Sequence, residues 1–171
     1  EKFKNKLFDI SNSIHNKKTL NFLHSGHCGD LIYSLALIKE LSKSHQCNLF
    51  IGVGKKIEGA YFKHPAKGVY IDNRIAKQIL PLLKFQSFLN EVKIHSEENI
   101  DINLDLFRDL PISLNFNSCR WYFHLTGVHV DLSAPYLNST EHKSIKDKII
   151  ILRTFRYRNH FINYKFLTKI E

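Results

Sequence analysis

Leu20 to Lys43, LNFLHSGHCGDLIYSLALIKELSK, constrains the fold more than any other stretch of the chain. Leu20, Phe22 and Leu23 suit a buried strand, and Leu31, Leu35, Ile38 and Leu41 recur at helical spacing. Between them Gly26 and Gly29 bracket a short turn that ends in Asp30, and both glycines are expected to relieve backbone crowding there. A strand that passes through a tight turn into an amphipathic helix is the opening of an α/β layered domain. In open α/β sheets, ligands collect at the carboxyl edge of the strands, against helix N-termini. The Gly26–Asp30 loop is therefore the first place to look for chemistry.

The rest of the chain extends this pattern. A helix is predicted over Lys4–Asn16 with Phe3, Leu7, Ile10 and Ile14 as its apolar stripe, and a second strand over Cys47–Val53, followed by a GVGKKIEG loop. Val69–Ile71 reads as a short strand. Ile75–Phe88 has helical periodicity that Pro81 should break or kink. Glu91–His95 and Ile102–Leu106 are further strand candidates. Ser118–Leu125 reads as a helix ending near Gly127, with Trp121 turned inward. From Asn138 to Lys148 the composition is that of a linker. Ile149–Leu152 and the turn RTFRYRN then repeat the order of strand, polar turn and helix, so a new α/β unit is expected to begin near Lys148. The domains expected are 1–147 and 148–171.

The 171 residues are 43% hydrophobic and 12% aromatic, which excludes a disordered chain. Twenty-five Lys and Arg against 16 acidic residues give a formal charge of +9, compatible with an anionic ligand, an anionic membrane surface or nucleic acid. The lysines are scattered (Lys2, Lys4, Lys6, Lys17, Lys18, Lys55, Lys56, Lys143, Lys146, Lys148), so a solvated basic surface is the simpler reading, and nucleic acid is not the expected partner. Cys28, Cys47 and Cys119 form no CxxC pair, and no signal peptide or membrane-length apolar run is present. The expected compartment is the reducing cytoplasm, with peripheral membrane association left open. The chain starts at Glu1 and stops at Glu171 inside an amphipathic segment, so both ends are expected to be cut from something longer.

Asp30 has two readings, both open at this point: a first-turn acid that answers free helix amides, or a general base that takes a proton from a sugar or alcohol hydroxyl. His24, His27 and Cys28 flank the turn, but no second Cys/His cluster completes a tetrahedral set, and no metal is expected. His27 suits a hydrogen-bonding or phosphate-facing role and Cys28 a small loop residue without a nucleophile's partners. The two glycines lack the full GxGxxG, which disfavours a dinucleotide site. Arg153–Asn159 could hold a diphosphate or be an ordinary basic loop. In Leu104–Pro111, Arg108 and Asp109 read more simply as a surface ion pair than as cleft residues, and Trp121 and Tyr122 as core.

Taken together, LNFLHS, GHCGDLIYSLALIKEL, the helix Arg120–Gly127 followed by APYL, and IILRTFRYRN resemble the heptosyltransferase-like glycosyltransferases of two-domain GT-B architecture. The resemblance implies a Rossmann-like parallel sheet flanked by helices, the N-terminal domain of such an enzyme, with the start of a second α/β domain. It implies transfer of a sugar from a nucleotide-sugar donor to a glycan acceptor hydroxyl, in glycan or lipopolysaccharide-type synthesis, without metal or other cofactor. Asp30 maps onto the base that activates the acceptor, and Gly26, His27, Cys28 and Gly29 onto the loop that shapes the acceptor cleft. Thr154, Arg156 and Arg158 map near the donor phosphates. Most of a donor domain would lie beyond Glu171, so the 171-residue chain alone is expected to be inactive. The alternative function is a non-catalytic basic module for nucleic acid or an anionic membrane surface.

Overall fold

A computed structural model of the chain describes residues 2–57 and 68–139. The expected boundary at 147/148, the second α/β unit and Thr154, Arg156 and Arg158 lie outside the described residues. In chain order the elements are α1 (Lys2–Asn16), β1 (Thr19–His24), α2 (Cys28–Leu41), β2 (Gln46–Ile51), α3 (Asn73–Lys84), β3 (Glu91–Ile94), β4 (Ile102–Asn103) and α4 (Cys119–Thr126). The four strands form one sheet in the order β3-β2-β1-β4, and every pairing is parallel. This is a Rossmann-like α/β domain.

Along β1 the residues facing the core alternate as Leu20, Phe22 and His24, whereas all of β2 from Cys47 to Ile51 is buried. Burial along nearly the whole strand is what a central parallel strand covered on both faces shows. Leu31, Leu35, Ile38 and Leu41 of α2 are buried as their spacing predicts, together with Ala36 and Leu37, in one core with Phe22, Leu49, Ile102 and Tyr122. Polar strand positions are satisfied sideways: the Asn90 amide donates to Asn48 Oδ1 at 2.8 Å, and the Asn48 amide donates to Asn21 Oδ1 at 2.9 Å. The core stripe of α1 centres on Ile10, with Leu7 and Ile14 beside it.

Several expectations are corrected. Pro81 does not divide its helix: α3 runs through it to Lys84, capped at its start by Asp72, whose carboxylate accepts the Ile75 amide at 2.7 Å. Both Pro81 and Lys77, whose carbonyl loses its donor to the proline, are exposed, so water can replace the missing bond. Val69–Ile71 is not a strand; Val69 makes one antiparallel bridge to Lys56. β4 stops at Asn103, because the Asn103 side chain accepts the Asp105 amide at 3.0 Å and starts a 3-10 helix over Leu104–Asp109. On α4 the inward residue is Tyr122, fully buried, while Trp121 is half-buried, stacked on Phe107 at 5.0 Å with its indole donating to the Leu114 carbonyl. That helix ends at Gly127, whose φ of 73° supplies the left-handed cap expected. Among the described residues no helix is long and apolar enough to cross a membrane.

Candidate functional site

The strand order decides where the site lies. The chain leaves β1 for β2 on one side and later returns to β4 on the other, so the carboxyl ends of β1 and β4 stand beside a topological switch point, the usual ligand crevice of open α/β sheets. Phe22 is level with Ile102 and Leu23 with Asn103. Two residues further on, Ser25 is then level with Asp105, and its amide donates to Asp105 Oδ1 at 3.0 Å.

In a 3-10 helix, side chains three apart eclipse, which puts Arg108 on the same edge as Asp105. The Arg108 guanidinium donates from Nη2 to Asp30 Oδ2 at 2.6 Å and from Nη1 to Asp105 Oδ1 at 3.4 Å. Lys55, in the loop after β2, donates to Asp105 Oδ2 at 2.9 Å. The result is a chain of alternating charge, Lys55, Asp105, Arg108, Asp30, built from the segments that follow three neighbouring strands. The guanidinium lies between two rings, 4.2 Å from the centroid of Phe107 and 4.8 Å from that of Tyr70. His27 sets its ring edge-on against Tyr70 at 4.9 Å.

Beneath this chain is a neutral relay. His24 is completely buried, and its Nδ1 accepts the Gly26 amide at 3.0 Å. The ring proton must therefore sit on Nε2, which donates to Tyr122 Oη at 2.9 Å, and the phenol in turn donates to the Asp30 carbonyl at 2.7 Å. Burial holds the His24 pKa down at about 3, so the ring stays uncharged across the physiological range. Burial likewise raises the Tyr122 phenol, which remains protonated as the relay requires.

The two carboxylates are tuned apart. Burial lifts Asp30 above the ordinary aspartate range, with Arg108 and His27 pulling against it. Burial also works against the charge of Asp105, but the carboxyl is held below the ordinary range, with the Lys55 ammonium and the Ser25 amide both favouring its charged form. The Asp30 side chain is 18% exposed and that of Asp105 only 4%. Asp30 is thus the more basic and more reachable of the two, while Asp105 is the fixed counter-charge.

The turn brings Gly26, His27, Gly29 and Asp30 to this crevice in different roles. His27 is the N-cap residue of α2 by backbone position, and its side chain makes no cap hydrogen bond. Asp30 is not the cap; it lies in the first turn with its carboxylate on Arg108. Crowding justifies Gly26 alone, since a Cβ at Gly29 would meet nothing closer than Tyr33 Cε2 at 3.9 Å. Cys28 is half-buried, and burial keeps its thiol protonated by raising its pKa, which argues against a nucleophile. Among the described residues no group of three or more His, Cys, Asp and Glu is arranged to hold a metal ion.

Arg108 pairs with Asp30 and Asp105 rather than with Asp109, so the surface-pair reading of Arg108 is overturned. Asp105, Lys55 and Tyr70 were not legible as site residues, because their roles arise from contacts between strand ends, and His24 was legible only as a residue flanking the turn. A partial signal existed in His24, which falls on the buried side of the β1 alternation and so needs partners.

Fold and crevice together define a Rossmann-like domain with a charged cluster at its switch point. No family model, curated protein or solved structure matches the chain.

Proposed function

We propose that this domain is the acceptor-side half of a glycosyltransferase of GT-B type, with Asp30 as its general base. An acceptor hydroxyl entering the crevice gives its proton to Asp30 as its oxygen forms a bond to the anomeric carbon of a nucleotide sugar. The bond from that carbon to the diphosphate breaks, and the nucleoside diphosphate leaves with the electron pair. Arg108 fixes the carboxylate's direction, and Gly26 leaves room for both groups. In this reading the donor phosphates belong to Thr154, Arg156 and Arg158.

The observation that supports the reading best is the state of Asp30: a partly exposed carboxylate at the switch point, made more basic by burial and held by Arg108 at 2.6 Å. An acid serving only the helix dipole gains nothing from raised basicity. The test is release of nucleoside diphosphate by the complete gene product from a panel of nucleotide sugars and glycan acceptors. Asp30→Asn is expected to lower kcat by about 10²–10⁴-fold with donor binding unchanged. Near-normal turnover in that variant, or no transfer from any nucleotide sugar by the unmodified protein, overturns the reading.

A further inference from the structure

Beside the charged crevice a separate open cleft of about 320 Å³ runs between α2 and the start of α4. Neither Asp30 nor Arg108 lines it, but Tyr33 does, and Tyr33 belongs to the first turns of α2. Helical side chains lean toward the N-terminus, and the Tyr33 ring accordingly reaches back over Gly29, in the turn that carries Asp30. Tyr33 thus stands both on the wall of the cleft and against the turn that carries Asp30.

Its walls combine aromatic rings with neutral hydrogen-bonding groups. Tyr33, Phe116 and Tyr136 supply the rings, and the Phe116 ring is steadied by an edge-on contact with His124 at 5.4 Å. At the start of α4 the cap is made by Asn117, whose side-chain oxygen accepts the Cys119 amide at 3.0 Å. Ser118, the residue at the cap position, has helical backbone angles and makes no cap bond, which frees its hydroxyl. The cleft is thus offered the Ser118 hydroxyl, the Asn117 –NH2 and the Tyr33 phenol. None of the described lining residues is charged.

We propose that this cleft binds a neutral pyranose ring, the ring next to the reacting hydroxyl of the acceptor; the acceptor role rests on the glycosyltransferase reading above. An anionic ligand would find no cation among the described lining residues, and a hydrocarbon would bury these hydroxyl and amide groups without partners. A sugar ring answers both surfaces, its C–H face lying on the aromatic rings and its hydroxyls meeting the donors. The volume, near the small end of the roughly 300–1,000 Å³ of ligand sites, suits one or two rings rather than a long chain.

The test is titration of the chain with a panel of methyl pyranosides, followed by amide NMR. Saturable shifts are expected at Phe116, Asn117 and Ser118. Phe116→Ala, and Asn117→Asp, which keeps the oxygen that caps α4 and removes the –NH2 donor, are each expected to weaken binding about fivefold or more with unchanged thermal unfolding. No saturable shift with any pyranoside, shifts confined to another surface, or equal binding by both variants overturns the proposal. The two readings fail separately. If the variants weaken pyranoside binding while Asp30→Asn retains turnover, the cleft stands and the catalytic reading falls. If Asp30→Asn abolishes transfer while Phe116→Ala changes neither pyranoside binding nor acceptor KM, the cleft assignment falls alone.

Discussion

A side chain at Gly26 has no room: its Cβ would stand 2.4 Å from Arg108 Nη2, 2.7 Å from His24 Cε1 and 3.1 Å from Asp30 Oδ2. Arg108 can swing away, but His24 is pinned at both nitrogens, so Gly26→Ala is expected to detach Arg108 from Asp30 and lower stability by about 1–3 kcal/mol. Gly29→Ala, on a helix where the new methyl meets only the Tyr33 ring at ordinary contact distance, is expected to raise stability by about 0.5–1 kcal/mol. Chemical denaturation of the two variants separates the roles, and a shared sign would refute the assignment. His24 makes a second residue-scale prediction. Its folded pKa of about 3 lies below the ordinary histidine value of 6.5, so as pH falls between these limits only the unfolded chain takes up the proton. Stability should drop by about 1.4 kcal/mol per pH unit in that window, a slope that His24→Gln should flatten in urea titrations across pH. The carboxylates act with opposite signs. Asp105, held low, loses its stabilising contribution as pH falls through its folded pKa, whereas Asp30, held high, favours folding on protonation.

Between elements, Tyr122 ties α4 to α2 through the hydrogen bond its phenol donates to the Asp30 carbonyl. Tyr122→Phe leaves the buried His24 Nε2–H and the Asp30 carbonyl without their partner, and a loss of about 1–3 kcal/mol is expected. Trp121→Phe keeps the stacking on Phe107 and gives up one hydrogen bond at a half-buried position, so the expected loss is smaller, about 1 kcal/mol. Equal losses in thermal unfolding would show that the relay does not join the helices. Helical spacing in CRWYFHLT established the helix, but its polar and aromatic residues did not reveal which ring turns inward. Nor did local sequence reveal the end of β4: Leu104 and Leu106 continue a strand alternation, and only the Asn103 side chain, by accepting the Asp105 amide, turns the chain into a 3-10 helix.

Across the whole molecule, Asp105 is the point where three strand ends converge, receiving the Ser25 amide after β1, Lys55 after β2 and Arg108 after β4. Asp105→Asn keeps the shape and removes the charge. It is expected to speed hydrogen exchange at Ser25 and lower stability by about 1–3 kcal/mol, a range set by the desolvated carboxylate and discounted for a Lys55 that is 46% exposed. Unchanged exchange at Ser25 would mean that Asp105 does not hold the crevice together.

What the sequence by itself determined is the local grammar: the β1 alternation, the apolar face of α2, the glycine turn between them, the Gly127 stop and the candidacy of Asp30. Each rests on interactions among residues a few positions apart, which spacing records. Tertiary structure alone decided what Asp30 faces. Arg108 is 78 residues away along the chain and Tyr122 is 92, and both reach it only because β4 pairs with β1 on the side opposite β2. Strand order is a property of the whole sheet, set by how all the apolar faces are covered at once, and no local spacing encodes it.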